Sequence, residues 1–439
     1  LSSLCHSTPE ARHLNTETFG SQQPTPREKK TLPFDLFSAN IVYKILAPKR
    51  ERPMPHYDLT EFLKLSSVLN YNLSAASLNR YNVMMYIIGG KALERNVSKD
   101  REKKGLLMDA LGYLFSAYRQ KRRHLGPMAV LHPLRATALF ARNQKRLEIV
   151  GLLSVLFHDI MEDINSNDFD AGQWKDMEGR LYSLLERMTD EDESKLLSHI
   201  IALTRTERES YYQYIGRLLE NASDSPQLVH VKLADRLDNT LDMRIDLEDP
   251  LAGVDFFQNV FQLLFVNNYR GYVPENEHAP ASAMNGARRL HQLFKNTVLL
   301  SLIRQHRSIG NDRALRVLFE AVCDASLKEA QRTLMHLLGF HFKDLTEQRK
   351  LILEAMDYCF SGRIDLVTKP DREQLLDGLF STYFASNSKK VLRRQLDRLY
   401  QNKPLMIQAS IAFVVIFLHF LNDSKYYVHG ISAEGIKPK

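Results

Sequence analysis

The stretch VLFHDIMEDI, Val155 to Ile164, continues the apolar run GLLSVLF, Gly151 to Phe157, and puts His158, Asp159, Glu162 and Asp163 at its end. At about 3.6 residues per turn these four polar positions share one helix face, with Leu152, Val155 and Leu156 on the opposite side. A buried helix that ends in an imidazole and three carboxylates predicts a helical scaffold with a polar site built onto it. Outward from there the same spacing persists. LTEFLKLSSVLNYNLSAASLNRYNVMMYII and GLLMDALGYLFSAYRQKRR repeat apolar residues at three and four, and no sustained period of two competes. The fold class expected is all-α.

The 439 residues are enough for two domains. Residues 1–33 are polar, contain Pro24, Pro26 and Pro33, and read as a flexible tail. Residues 34–266 can form one helical core. NNYRGYVPENEHAPASAMNG, residues 267–286, carries Pro274 and Pro280 and is the candidate linker. Residues 287–439 continue as amphipathic helices with no chemistry of their own.

The composition is that of an ordinary soluble chain, 44% hydrophobic and 25% charged. A net charge of +7 suits an anionic ligand such as a nucleotide, but is spread too thinly to argue for specific nucleic-acid binding. Cys5, Cys323 and Cys359 are too scattered for a disulfide framework or a thiolate metal site. So few cysteines suit a reducing compartment, and the cytoplasm is the one expected; the visible N-terminal stretch has no apolar run of signal-peptide length. PLMIQASIAFVVIFLHFL, residues 404–421, is apolar apart from Gln408, Ser410 and His419; it reads as a core helix, with membrane contact as the alternative. A homo-oligomer is left open.

Three stretches share the chemistry. VLHPLRATALFA sets His132 before Pro133, at the mouth of a helix. VKLADRLDNTLDMR puts Leu233, Leu237 and Leu241 on one side of a helix and Asp235, Asp238, Asn239 and Asp242 on the other. With His158 and Asp159, His132 and Asp235 make a nitrogen and oxygen ligand set for one divalent ion such as manganese, iron or zinc. Taken singly, His132 reads equally as a core histidine, and Glu162 and Asp163 as the solvated end of a helix. The i+4 relation of that pair to His158 and Asp159 places them beside the ion instead. Tyr211, Tyr212 and Tyr214 have the spacing either to wall a pocket or to pack a core.

The order H…HD…D in a helical chain resembles the HD superfamily of metal-dependent phosphohydrolases. HDxxED in FHDIMED and KLADRLxN in VKLADRLDN are similar to the hydrolase domain of RelA/SpoT-type guanosine penta- and tetraphosphate enzymes, over residues 106–243. The resemblance implies an HD-domain helical bundle in which His132, His158, Asp159 and Asp235 hold one divalent ion, usually Mn2+. It implies that Glu162 and Asp163 position the attacking water and handle its proton. Asn239 matches an asparagine near the substrate nucleoside, and Arg123 an arginine that supports the site or faces phosphate. The activity implied is hydrolysis of a nucleotide phosphate or pyrophosphate ester, with a (p)ppGpp-like 3'-pyrophosphohydrolase first.

Departures fall at pocket positions. The chain reads RHLG at Arg123 where that family reads RKSG, and Asp238, Thr240 and Asp242 change DRLHNMRT. They keep open another nucleotide or a phosphorylated cofactor as substrate, or a non-catalytic nucleotide-sensing module. No G-x-x-x-x-G-K-[ST] loop or G-x-G-x-x-G turn appears. The second half has no strand-rich region like that of the alarmone synthetase domain, so a bifunctional enzyme is not expected.

Overall fold

The computed structural model describes residues 57–74, 80–119, 121, 128–206, 209–242, 249–251, 288–306, 309–361, 376–379, 388–423, 431–432 and 435–436. Helices dominate these residues, as the spacing predicts. They are α1 (Leu59–Ser74), α2 (Arg80–Ile88), α3 (Val97–Ala117), α4 (Leu131–Asn143), α5 (Ile149–Leu156), α6 (Ile160–Asp163), α7 (Ala171–Leu185), α8 (Asp190–Leu203), α9 (Tyr211–Asn221), α10 (Gln227–Leu241), α11 (Arg288–His306), α12 (Arg313–His341), α13 (Leu345–Ser361), α14 (Lys389–Gln401) and α15 (Lys403–Asn422). One small antiparallel hairpin pairs Ile431–Ser432 with Gly435–Ile436.

Local chemistry sets the starts of several helices. Asn96 caps α3 by accepting from the N–H groups of Ser98 and Lys99 at 2.9 and 3.1 Å. Asp170 with Gln173 and Ser210 with Gln213 make reciprocal capping boxes at α7 and α9. Thr189 caps α8, whose first turn gathers Asp190, Glu191, Asp192 and Glu193 at the positive end of the helix dipole.

The centre of the molecule is α10, which packs against α4 and α5 on one side and α11 and α12 on the other. In α5 every residue is buried. Gly151 lets α5 approach α4 closely: a β-carbon there would stand 3.2 Å from the Phe140 ring. The helix expected to run on through Asp163 instead breaks at residues 157–159. Phe157 and Asp159 adopt φ/ψ near −108/8° and −103/5°, and α6 restarts as a single turn. His158, Asp159, Glu162 and Asp163 therefore do not share one continuous helix face.

The tail, residues 1–33, and the linker, residues 267–286, lie outside the described residues. Across that linker the helices share a core. Asn296 of α11 donates to Thr240 Oγ1 of α10 at 2.9 Å and to Ser326 Oγ of α12 at 2.8 Å, and accepts from Arg236 of α10. All described residues belong to one compact unit, Leu46–Lys439. Among them, α15 is the one helix long and apolar enough to cross a membrane, and 83% of its apolar window is buried. It packs against α12, α13 and α14, with Phe413 and Phe417 stacked at 6.3 Å. Cys323 and Cys359 are buried.

One buried histidine makes the fold pH-sensitive. His199 of α8 lies 2.8 Å from Ser154 Oγ of α5 through Nδ1 and 2.5 Å from Ser225 Oγ through Nε2. Ser154 gives its own hydrogen to the Val150 carbonyl, so Nδ1–H donates to Ser154 and Nε2 accepts from Ser225, which is the neutral tautomer. Burial, and then Lys195, push the His199 pKa down to about 4. The unfolded chain binds this proton near pH 6.5, so stability is full above that pH and falls as pH drops towards 4. Urea midpoints between pH 7.5 and 4 are expected to decline, and His199→Gln is expected to flatten the decline. An unchanged profile in the variant would remove His199 as the cause.

Candidate metal centre

His132 is the second residue of α4, where Pro133 opens the helix. His158 and Asp159 occupy the break between α5 and α6, and Asp235 projects from the middle of α10. These three elements bring one donor atom from each of the four residues to within 4.8 Å of one another. His132 Nε2 is 3.1 Å from His158 Nε2, 3.3 Å from Asp159 Oδ2 and 3.3 Å from Asp235 Oδ1. His158 Nε2 is 3.1 Å from Asp159 Oδ2 and 3.6 Å from Asp235 Oδ1. Donors about 2.1 Å from one ion stand roughly 3.0 Å apart at right angles and roughly 3.4 Å apart in a tetrahedron. The spacings that involve His132, and that of His158 to Asp159, fall at 3.1 to 3.3 Å within that range, while His158 to Asp235 is wider at 3.6 Å.

The hydrogen bonds behind the histidines decide which way their lone pairs point. His158 Nδ1 donates to the Val155 carbonyl at 2.7 Å, and a carbonyl can only accept. His132 Nδ1 donates to Asp238 Oδ2 at 2.6 Å. In the neutral imidazoles both Nε2 atoms therefore present lone pairs to the two carboxylates. Four acceptors facing one point call for shared positive charge, from a proton or an ion, and this donor set fits a divalent ion. The same field acts on protons. Burial opposes a charge on His158, but Asp159 and Asp235 hold its pKa well above the ordinary value. Burial likewise favours a neutral Asp235, yet the Lys232 ammonium at 2.8 Å and the two histidines hold it well below the carboxylate range.

A carboxylate that the sequence shows only as part of a polar face turns out to orient the set. Asp238 is completely buried. Besides His132 it accepts from Arg135 Nε at 2.7 Å and Nη2 at 3.0 Å, and Arg135 Nη2 also reaches Asp242 Oδ2 at 2.8 Å. Burial would raise the Asp238 pKa; Arg135 and His132 bring it down to about 2. Two of the positions that depart from the resembled pattern thus build the carboxylate–histidine support behind His132. The available signal was helical spacing: Arg135 is three residues after His132, and Asp238 three after Asp235.

The other expected site residues distribute as follows. Glu162 accepts from the Arg205 backbone N–H at 2.8 Å, and its pKa is raised by burial and by Asp159. Asp163 accepts from the Tyr118 hydroxyl at 2.8 Å, while its backbone carbonyl accepts from Lys121. Its pKa too is raised, by burial and by Asp159. Both carboxyls therefore flank the ligand set and feel its charges. Asn239 Nδ2 donates to Asp235 Oδ1 at 2.5 Å, which gives it a positioning role at the set beside the nucleoside contact implied by resemblance. Arg123 lies outside the described residues. Tyr211, Tyr212 and Tyr214 are buried. Lys232 lies over the Tyr214 ring at 4.9 Å, so this aromatic wall adjoins the Asp235 side of the site.

No family model matches the chain, and comparison with curated proteins finds no match.

Proposed function

We propose that this chain is an HD-type, metal-dependent phosphohydrolase that cleaves a phosphate or pyrophosphate ester of a nucleotide, with guanosine 3',5'-bispyrophosphate as the first substrate to try and Mn2+ as the ion. The observation that carries the reading is the convergence of His132, His158, Asp159 and Asp235, with both imidazole lone pairs turned to the carboxylates. A divalent ion held by these four residues would supply Lewis acidity towards a phosphoryl oxygen and would lower the pKa of a water.

The remaining work falls to side chains. Glu162 and Asp163 orient the water for in-line attack and take its proton. Their raised pKa values suit that task, because a base too weak to hold a proton cannot accept one. Arg205 and Tyr118 hold the two carboxyls in place. Asp238 keeps His132 in the tautomer that binds. Asn239 fixes Asp235. The burial of α15 leaves that helix little surface to offer a membrane.

The test is release of phosphate and pyrophosphate from a panel of nucleotides by the full chain with manganese. Guanosine bispyrophosphate is expected to be turned over. Glu162→Gln is expected to lower kcat by about 10²- to 10⁴-fold while manganese affinity stays within a few-fold. No release from any nucleotide, with manganese demonstrably bound, would replace hydrolysis by ligand sensing. Full activity in Glu162→Gln would remove that residue from the proton-handling role.

A further inference from the structure

Beside the ligand set, beyond Lys232, lies a group of basic side chains with too few anions. Arg236 of α10 is 3% exposed, and among the described residues its guanidinium bonds to neutral acceptors, Asn296 Oδ1 at 2.6 and 2.9 Å and the Gln292 carbonyl at 3.1 Å. Lys295 of α11 has its ammonium 5.6 Å from the centre of the Tyr211 ring and no carboxylate partner among the described residues. His291, one turn before it, has a buried Nδ1 without a hydrogen-bond partner. Lys232 is neutralised by Asp235, but Asp235 already serves the ligand set.

These groups run outward from the ion-binding point. Asp235 touches Lys232, Lys232 lies over Tyr214, the Tyr214 and Tyr211 rings are 6.0 Å apart, and Lys295 lies over Tyr211. The cost of the unmatched charge shows in Lys295, whose pKa falls to about 7 through burial and then through Arg236, Lys232 and Arg205. A buried cation without a counterion is expensive, and an anion delivered by a ligand removes the expense.

We propose that Lys295 and His291, with Lys232, form a second anion subsite that takes a phosphate or pyrophosphate group at the end of the substrate away from the bond that is cut. Both Lys295 and His291 come from α11, outside the stretch that carries the family resemblance. The subsite stands on this geometry alone, whereas its assignment to a substrate rests on the phosphohydrolase reading above. It gives the chain after residue 287 a direct part in binding, where the sequence offered none.

The experiment uses the full chain stripped of metal, so that an ion cannot mediate the contact, and inorganic pyrophosphate as the probe. Two readouts are taken: calorimetric titration, and labelling of Lys295 by an amine-reactive reagent followed by mass spectrometry. Pyrophosphate is expected to bind and to shield Lys295 in the unaltered chain. Lys295→Gln is expected to weaken that binding about 10- to 100-fold and to leave manganese binding unchanged. Labelling of Lys295 that pyrophosphate does not diminish would overturn the subsite, and so would equal affinity in the variant. If Lys295→Gln does not fold, the labelling of the unaltered chain decides alone. Pyrophosphate binding without turnover of any nucleotide keeps the subsite and removes the hydrolase. Turnover with a KM that Lys295→Gln does not change keeps the hydrolase and removes the subsite.

Discussion

Asp159→Ala is expected to abolish both turnover and the stabilisation of the fold by manganese. Asp159 supplies one of only four converging donors, and its Oδ2 is 3.3 and 3.1 Å from the two imidazole nitrogens. Losing a donor in direct contact with the ion should exceed the roughly 10- to 100-fold loss of affinity typical of groups one step behind it. The signature lies in unfolding curves as well as in rates. At a manganese concentration about 100 times its Kd, the unaltered chain gains about 2.7 kcal/mol, because the ion binds only the folded state. The variant should gain none at that concentration. Without manganese, the variant should be no more stable than the parent, since it removes the carboxylate that pairs with His158 and His132. Equal stabilisation of parent and variant by manganese would move the ion site elsewhere.

Asp238→Ala is expected to be the most destabilising single change near the site, although Asp238 is not among the four ligands. It would strip Arg135, itself 2% exposed, of two hydrogen bonds and leave its guanidinium with Asp242 alone. It would also remove the acceptor from His132 Nδ1. Breaking a buried ion pair from one side costs about 3–5 kcal/mol, because it leaves a buried charge with less compensation, here Asp242 alone. Manganese affinity should fall as well, by about 10- to 100-fold, once His132 is free to turn. Asp238→Asn keeps an acceptor for His132 but not the charge for Arg135, so its stability loss should approach that of alanine while its loss of affinity is smaller. Urea unfolding and manganese titration of the two variants separate these effects. A cost below about 1 kcal/mol for Asp238→Ala would show that the network contributes little.

Much of the helical architecture was legible because its causes are local. The three-and-four spacing through GLLSVLF, the proline after His132 and the apolar run of residues 404–421 all follow from periodicity, and each is a helix or a helix start where expected. The gathering of His132, His158, Asp159 and Asp235 was legible from residue types and their order. The break at residues 157–159 was not, since Ile160 and Ile164 prolong the apolar spacing and nothing in the residues themselves stops a helix there. Asp238 looked like one more acid on a polar face. Whether such a face meets water or protein depends on α4, about a hundred residues earlier in the chain, whose His132 and Arg135 cover it. Lys295 and His291 gave no signal for the same reason: only tertiary packing brings α11 beside α9 and α10.

The position of α12 has a thermodynamic consequence. One flank of this helix lies on α10, which carries Asp235, and another on α15. A cavity cut into α15, for example at Phe417, therefore draws on the same cooperative transition that holds the ion-binding donors together. Occupancy of the centre and integrity of the far end of the chain are linked functions. Ion binding should raise the melting temperature of defects in α15, and such defects should raise the ion concentration needed for half-saturation wherever the unfolded form is populated, without a single changed contact at the ion.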